Sequence, residues 1–95
     1  MNKYVFLTYG FEKPTPEIME KWNGWFQSIK ENIVDQAHFP RGLEISDSGR
    51  KELPLGPGAI TGFMTVTAES FEAAEKMAAT NPYIDSIRVY EVMSR

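Results

Sequence analysis

His38 is the only histidine in a chain with no cysteine, so it is the one side chain that ordinarily titrates near neutral pH. It stands three residues after Asp35 and directly before Phe39-Pro40-Arg41. Two readings of it are open. It is a general acid or base oriented by Asp35 or Glu44, or it is an exposed imidazole on a surface loop. Arg88, between Ser86 and Tyr90 near the C-terminus, would supply a permanent charge that holds a carboxylate or phenolate through two parallel hydrogen bonds. The same guanidinium would equally serve an ion pair with Glu91 or with a second subunit. Tyr4, Phe6, Phe63 and Tyr90, with the hydroxyls of Thr8 and Thr61, could wall an aromatic ligand slot. As a dimer core they would do purely structural work.

Other chemistry is excluded. Without cysteine there is no disulfide framework, no thiolate zinc site and no thiol nucleophile. One histidine does not make a multi-histidine metal site, and no pair of carboxylates has the spacing of a metal or glycosidase site. Neither a metal nor a cofactor is expected. A net charge of −3 and a pI near 5.1 argue against nucleic acid as a partner. Leu55-Gly56-Pro57-Gly58 lacks the spacing of a phosphate loop and reads as a backbone turn. Glu69, Glu72 and Glu75 read as a solvated helix face. No signal-like opening and no apolar run of membrane-spanning length is present, so the expectation is a cytoplasmic protein without a membrane partner.

The elements that must position these residues can be traced along 95 residues, enough for one domain, 1–95. Apolar residues at 42% and charged ones at 24% suit a folded domain rather than a disordered chain. Lys3 to Tyr9, β-branched and aromatic, predicts a strand closed by Gly10. Thr15-Pro16-Glu17 predicts a helix start. Ile18, Trp22, Trp25, Phe26, Ile29 and Ile33 continue one apolar stripe to about Val34. Leu43 to Ser46 and Lys51 to Leu53 predict short strands around an Asp47-Ser48-Gly49 turn. Ala59 to Thr67 is the clearest strand. Ser70 caps a second helix that Asn81-Pro82 stops, and Ile84 to Met93 is the last strand. The order β-α-β-(β)-β-α-β predicts an α+β, ferredoxin-like sandwich with four antiparallel strands and both helices on one face.

Alternation divides each long strand between two faces. Val5, Leu7, Ile60, Met64, Val66, Ile87, Val89 and Met93 form an aliphatic set, assigned to the helices. The other set is Tyr4, Phe6, Thr8, Thr61, Phe63, Thr65, Thr67, Arg88, Tyr90 and Val92. It is too apolar to leave in water on a small monomer. A second copy packed sheet to sheet about a two-fold axis would cover it, which predicts a homodimer closing into an α+β barrel.

Glu52-Leu53-Pro54-Leu55-Gly56-Pro57-Gly58-Ala59-Ile60-Thr61-Gly62-Phe63 resembles the central motif of the YCII-related (DGPF-type) proteins. Ala68 to Ala74, Asn81-Pro82-Tyr83 and Ile87 to Val92 resemble further parts of that family. The resemblance spans Tyr4 to Met93 and is weakest from Asp35 to Arg50. It implies the dimeric α+β barrel and, through the family's best-supported enzyme, a dehydrochlorinase acting on a hydroxylated aromatic ring. The family's proposed pair is a histidine on the first helix and an aspartate before the Pro-Tyr step. Here that helix carries Trp22 and Trp25 but no histidine, Asn81 precedes Pro82, and Leu55 stands where the motif has its aspartate. An amide cannot hold an imidazolium as a carboxylate does, so the pair is not carried over.

Three functions remain. One is a homodimer binding a small organic ligand, aromatic or carboxylate, in the barrel. The second is a cofactor-free lyase or isomerase using His38 and Arg88. The third is a structural or regulatory subunit.

Overall fold

The computed structural model of the chain describes residues 1–93. Its elements run β1 (Asn2–Tyr9), α1 (Pro16–Ile29), a short 3-10 turn (Lys30–Asn32), β2 (Ile33–His38), β3 (Gly42–Ser46), β4 (Gly49–Leu53), β5 (Ile60–Ala68), α2 (Phe71–Ala79) and β6 (Ser86–Val92). Four strands make an antiparallel sheet in the order β2-β5-β1-β6, and β3 with β4 makes a separate hairpin. The sandwich class expected from the element order is present: this is an α+β domain consistent with a ferredoxin-like fold.

Local chemistry accounts for the helix ends. The Ile18 N–H donates to the Thr15 hydroxyl at 3.2 Å and the Ala73 N–H to the Ser70 hydroxyl at 3.1 Å, each satisfying a first-turn donor that has no partner within the helix. The first helix ends at Ile29, five residues earlier than its apolar stripe predicts. Asn32 explains the stop. Its amide donates to the Thr67 carbonyl at 2.9 Å, and the Thr67 hydroxyl donates back to the Asn32 carbonyl at 3.4 Å. That exchange latches the chain to the edge of β5, and the β-branched pair Ile33-Val34 continues as strand. The second strand of the main sheet is therefore Ile33–His38, not the Leu43 segment.

The faces of β1 are the reverse of the expectation. Tyr4 and Phe6 are 1% exposed and lie in the core beneath the helices, while Val5 and Leu7 are half-buried on the other face. Register fixes this, because Tyr4 pairs with Val66 and Phe6 with Met64 and Val89, whereas Val5 pairs with Thr65 and Tyr90. Aromatic partners select it. The Phe6 ring lies 6.3 Å from Trp25, and Tyr4 meets Phe71 edge-on at 5.7 Å, geometries that add to simple burial. For β5 and β6 the expected division holds for Met64, Val66, Ile87 and Val89 inside and for Phe63, Arg88 and Tyr90 outside.

Among the described residues, neither helix packs on the outer face of the sheet, and the β3–β4 hairpin leaves Leu43, Ile45 and Leu53 exposed, Ile45 to 80%. The molecule is a slab of 41 × 40 × 18 Å with a radius of gyration of 14.4 Å, against about 12 Å for a compact domain of this length. No helix among the described residues is long and apolar enough to cross a membrane.

Candidate functional site

Gly10 makes the turn that opens the site. Its φ of +95° suits glycine, and a β-carbon there would meet the Asp85 carboxylate at 2.6 Å. Its N–H donates to the Ala59 carbonyl at 2.8 Å, so the chain leaves β1 sharply and Phe11 to Pro14 arch toward α1. Between that arch, α1 and the ends of β2 and β5 lies an open cleft of about 550 Å³, a size suited to a small organic molecule. Trp22 and Phe26, four residues apart on α1, form one wall with their rings 5.8 Å apart. His38, Phe39 and Pro40 form the opposite side.

A recess of about 40 Å³ shares Thr8, Trp22, Phe26 and His38 with the cleft as lining residues and is bounded also by Gln36, Gly62, Phe63 and Asn81. Gly62 clears the space. A β-carbon there would lie 3.0 Å from the Ala37 carbonyl oxygen, 3.4 Å from the Thr8 hydroxyl and 3.7 Å from the His38 Nδ1.

The polar groups differ in what they still offer. The Thr61 hydroxyl is shared between the Thr8 carbonyl at 3.3 Å and the Gly10 carbonyl at 3.1 Å, and the Thr8 hydroxyl donates to the Gly62 carbonyl at 3.4 Å. With their protons committed, both can only accept from a ligand. The His38 imidazole is solvent-exposed at the end of β2. Asn81 is the opposite case: it is 4% exposed, and neither oxygen nor nitrogen of its amide has a hydrogen-bond partner. Glu12 is the sole charged side chain, beside the titratable His38, among the described residues lining cleft or recess.

The expected site residues therefore divide. Thr8, Thr61 and His38 all line the cleft; Thr8 and His38 stand opposite Gly62 on the helix side, and Thr61 reaches the cleft at the register shift between β1 and β5. Tyr4 and Phe6 are core, and only Phe6 reaches the recess wall. Phe63 projects toward the outer face, where it stacks at 5.7 Å on Phe39 of the cleft wall, and it also borders the recess. Tyr90 and Arg88 are on that outer face too, away from the cleft, with the Arg88 guanidinium 4.5 Å above the Tyr9 ring. Hydrogen bonding to Tyr90, helped by Tyr9, raises the Arg88 pKa further above its ordinary value. His38 is not in a loop but ends a strand, and Asp35 cannot orient it, because alternation puts residues three apart on opposite faces. Asp35 instead accepts from the Gln36 N–H at 2.8 Å. Glu44 belongs to the separate hairpin, opposite Lys51.

The four-residue spacing of Trp22 and Phe26 also describes a core stripe, so nothing local marks them as cleft walls. No known protein-family model matches the chain, and no curated protein matches it.

Proposed function

We propose that this protein is a small cytoplasmic homodimer that binds a small, largely apolar organic molecule, held in the cleft between Trp22, Phe26 and His38. The observation that carries this reading is the cleft of about 550 Å³, walled by aromatic and aliphatic side chains with a few convergent polar groups. The ligand sits on the helix side of the sheet rather than on the outer face expected for the barrel interior. A carboxylate ligand is disfavoured, because Arg88 lies elsewhere and Glu12 would repel an anion at the mouth.

The dimer part rests on the outer face, where half-buried Val5, Leu7 and Phe63 lie beside exposed Tyr90. A second copy packed sheet to sheet covers that face, and the YCII-like motifs in the sequence imply the same assembly. The lyase or isomerase alternative is supported by a single observation, that His38 borders both the cleft and the recess. In that reading His38 alone moves the proton, without Arg88.

Titration with naphthalene, followed by proton–nitrogen correlation spectra, tests the proposal. Saturable shifts at the Trp22 indole and at the Thr61 and His38 amides support it. Absence of saturable shifts at those positions contradicts it.

A further inference from the structure

Among the described residues that line the cleft, Glu12 carries the one permanent charge, and no Lys or Arg balances it. Lys13 and Arg41, each next in the chain to a lining residue, are not part of the walls. The Thr8 and Thr61 hydroxyls have given their protons to backbone carbonyls, so toward a ligand they are acceptors. Thr61 reaches the Gly10 carbonyl at 3.1 Å, and Glu12 follows Gly10 by two residues, at most about 7 Å of chain. Acceptor and carboxylate therefore share one end of the cleft. Asn23 and the Trp22 indole, also in the walls, are neutral and set no preference of charge.

The aromatic walls favour the same sign. An aromatic ring is negative on its face and attracts a cation within about 6 Å of its centroid, indole most of all. Phe11, Trp22, Phe26 and Phe39 all line the cleft. Three of these rings are held by other rings. Trp22 stands edge-on to Trp25 at 6.0 Å, Phe26 lies 5.5 Å from Trp25, and Phe39 stacks on Phe63 at 5.7 Å. Rings fixed in advance lose little freedom when a ligand arrives.

We infer that the cleft selects an organic cation, an amine protonated at neutral pH and carried on an apolar body, and that Glu12 sets this preference. The inference rests on the proposed ligand cleft and names the class of its ligand. An ammonium group is drawn by the Glu12 carboxylate and by the ring faces, and its N–H groups suit the accepting hydroxyls. An anion meets Glu12 with no cation to offset it, and a neutral molecule gains burial alone. The chain's net charge of −3 steers the same class of ligand toward the protein.

Wild-type protein is titrated at neutral pH and low salt with 2-naphthylmethylamine, 2-naphthalenemethanol and 2-naphthoate, reading saturable shifts at the Trp22 indole and at the Glu12 and Thr61 amides. An exposed ion pair together with a cation–π contact predicts that the amine binds about five- to tenfold tighter than the alcohol, with the naphthoate weakest. Added salt screens an exposed charge, so the amine's advantage should shrink in roughly 0.5 M sodium chloride. Glu12 is exposed, and in Glu12→Gln the ratio of amine to alcohol affinity should fall at least about twofold. Equal affinities for amine and alcohol overturn the inference while the cleft stands. An amine preference undiminished in Glu12→Gln overturns it too, as does naphthoate binding more tightly than the alcohol. If no probe moves these resonances, the cleft reading itself is overturned, and the inference with it.

Discussion

Thr8 and His38 approach each other across Gly62: a β-carbon at that glycine would stand 3.4 Å from the Thr8 hydroxyl and 3.7 Å from the His38 Nδ1. The three residues form one row across β1, β5 and β2, paired Thr8 to Gly62 and Gly62 to His38. The missing side chain is what leaves the recess open. Gly62→Ala should put a methyl group against Thr8 and His38 and weaken naphthalene binding. Because the new carbon would also press on the Ala37 carbonyl at 3.0 Å, stability should fall by about 1–3 kcal/mol. Calorimetric titration and a melting curve check the two parts separately.

Trp25 ties the two helices together. Its indole N–H donates to the Met77 carbonyl at 2.9 Å, and its ring is 6% exposed between Phe6 and Trp22. The same carbonyl accepts from the Thr80 hydroxyl at 2.9 Å, so it stays satisfied when the indole is removed. Trp25→Phe should therefore lose one hydrogen bond, about 0.5–1.5 kcal/mol, together with the contacts of the smaller ring. Urea unfolding should give a lower midpoint with an unchanged slope.

The fold was largely legible because its signals are local. Thr15-Pro16 and Ser70 cap helices through hydroxyls one turn away, and the alternation of Ile60–Ala68 marks a strand wherever it sits. What escaped the sequence depends on distant partners. The end of α1 is set by the exchange between Asn32 and Thr67 across 35 positions, and the faces of β1 by whether Trp25 or solvent meets Phe6. Alternation shows that Tyr4 and Phe6 share a face, but not which face. The site was half legible for the same reason. Residue type singles out Thr8, Thr61 and His38, yet where they meet follows from β2 pairing with β5.

Arg88 should be silent in the cleft. It lies on the outer face over Tyr9, and Arg88→Gln should leave the affinity for naphthalene unchanged within error. Its pH behaviour follows from the direction of its shift. Tyr90 and Tyr9 raise the pKa in the folded state, so any stabilisation is fully present below the ordinary arginine value and lost only above the raised folded one. Between pH 5 and 9 the wild type and Arg88→Gln should therefore show parallel stability profiles. Profiles that converge or cross in that range would contradict this placement.

Phe63 reports on the outer face. It stacks on Phe39 at 5.7 Å with the rings 19° apart, in the middle of the surface that the proposed second copy covers. Phe63→Asp would bury an unpaired carboxylate in that interface, a change that typically costs about 3–5 kcal/mol. Light scattering should find a dimer of the 10.8 kDa chain for wild type and monomer or unfolded protein for the variant. A wild-type monomer at micromolar concentration would remove the dimer.

The proposed ligand site lies on the helix side of the sheet edge, not on its outer face. A naphthalene titration of isotope-labelled wild type, read residue by residue, locates it. Saturable shifts should concentrate at Thr8, Trp22, Phe26, His38 and Thr61, with Val5, Thr65, Arg88 and Tyr90 unmoved. Saturable shifts confined to those four outer-face residues would contradict it.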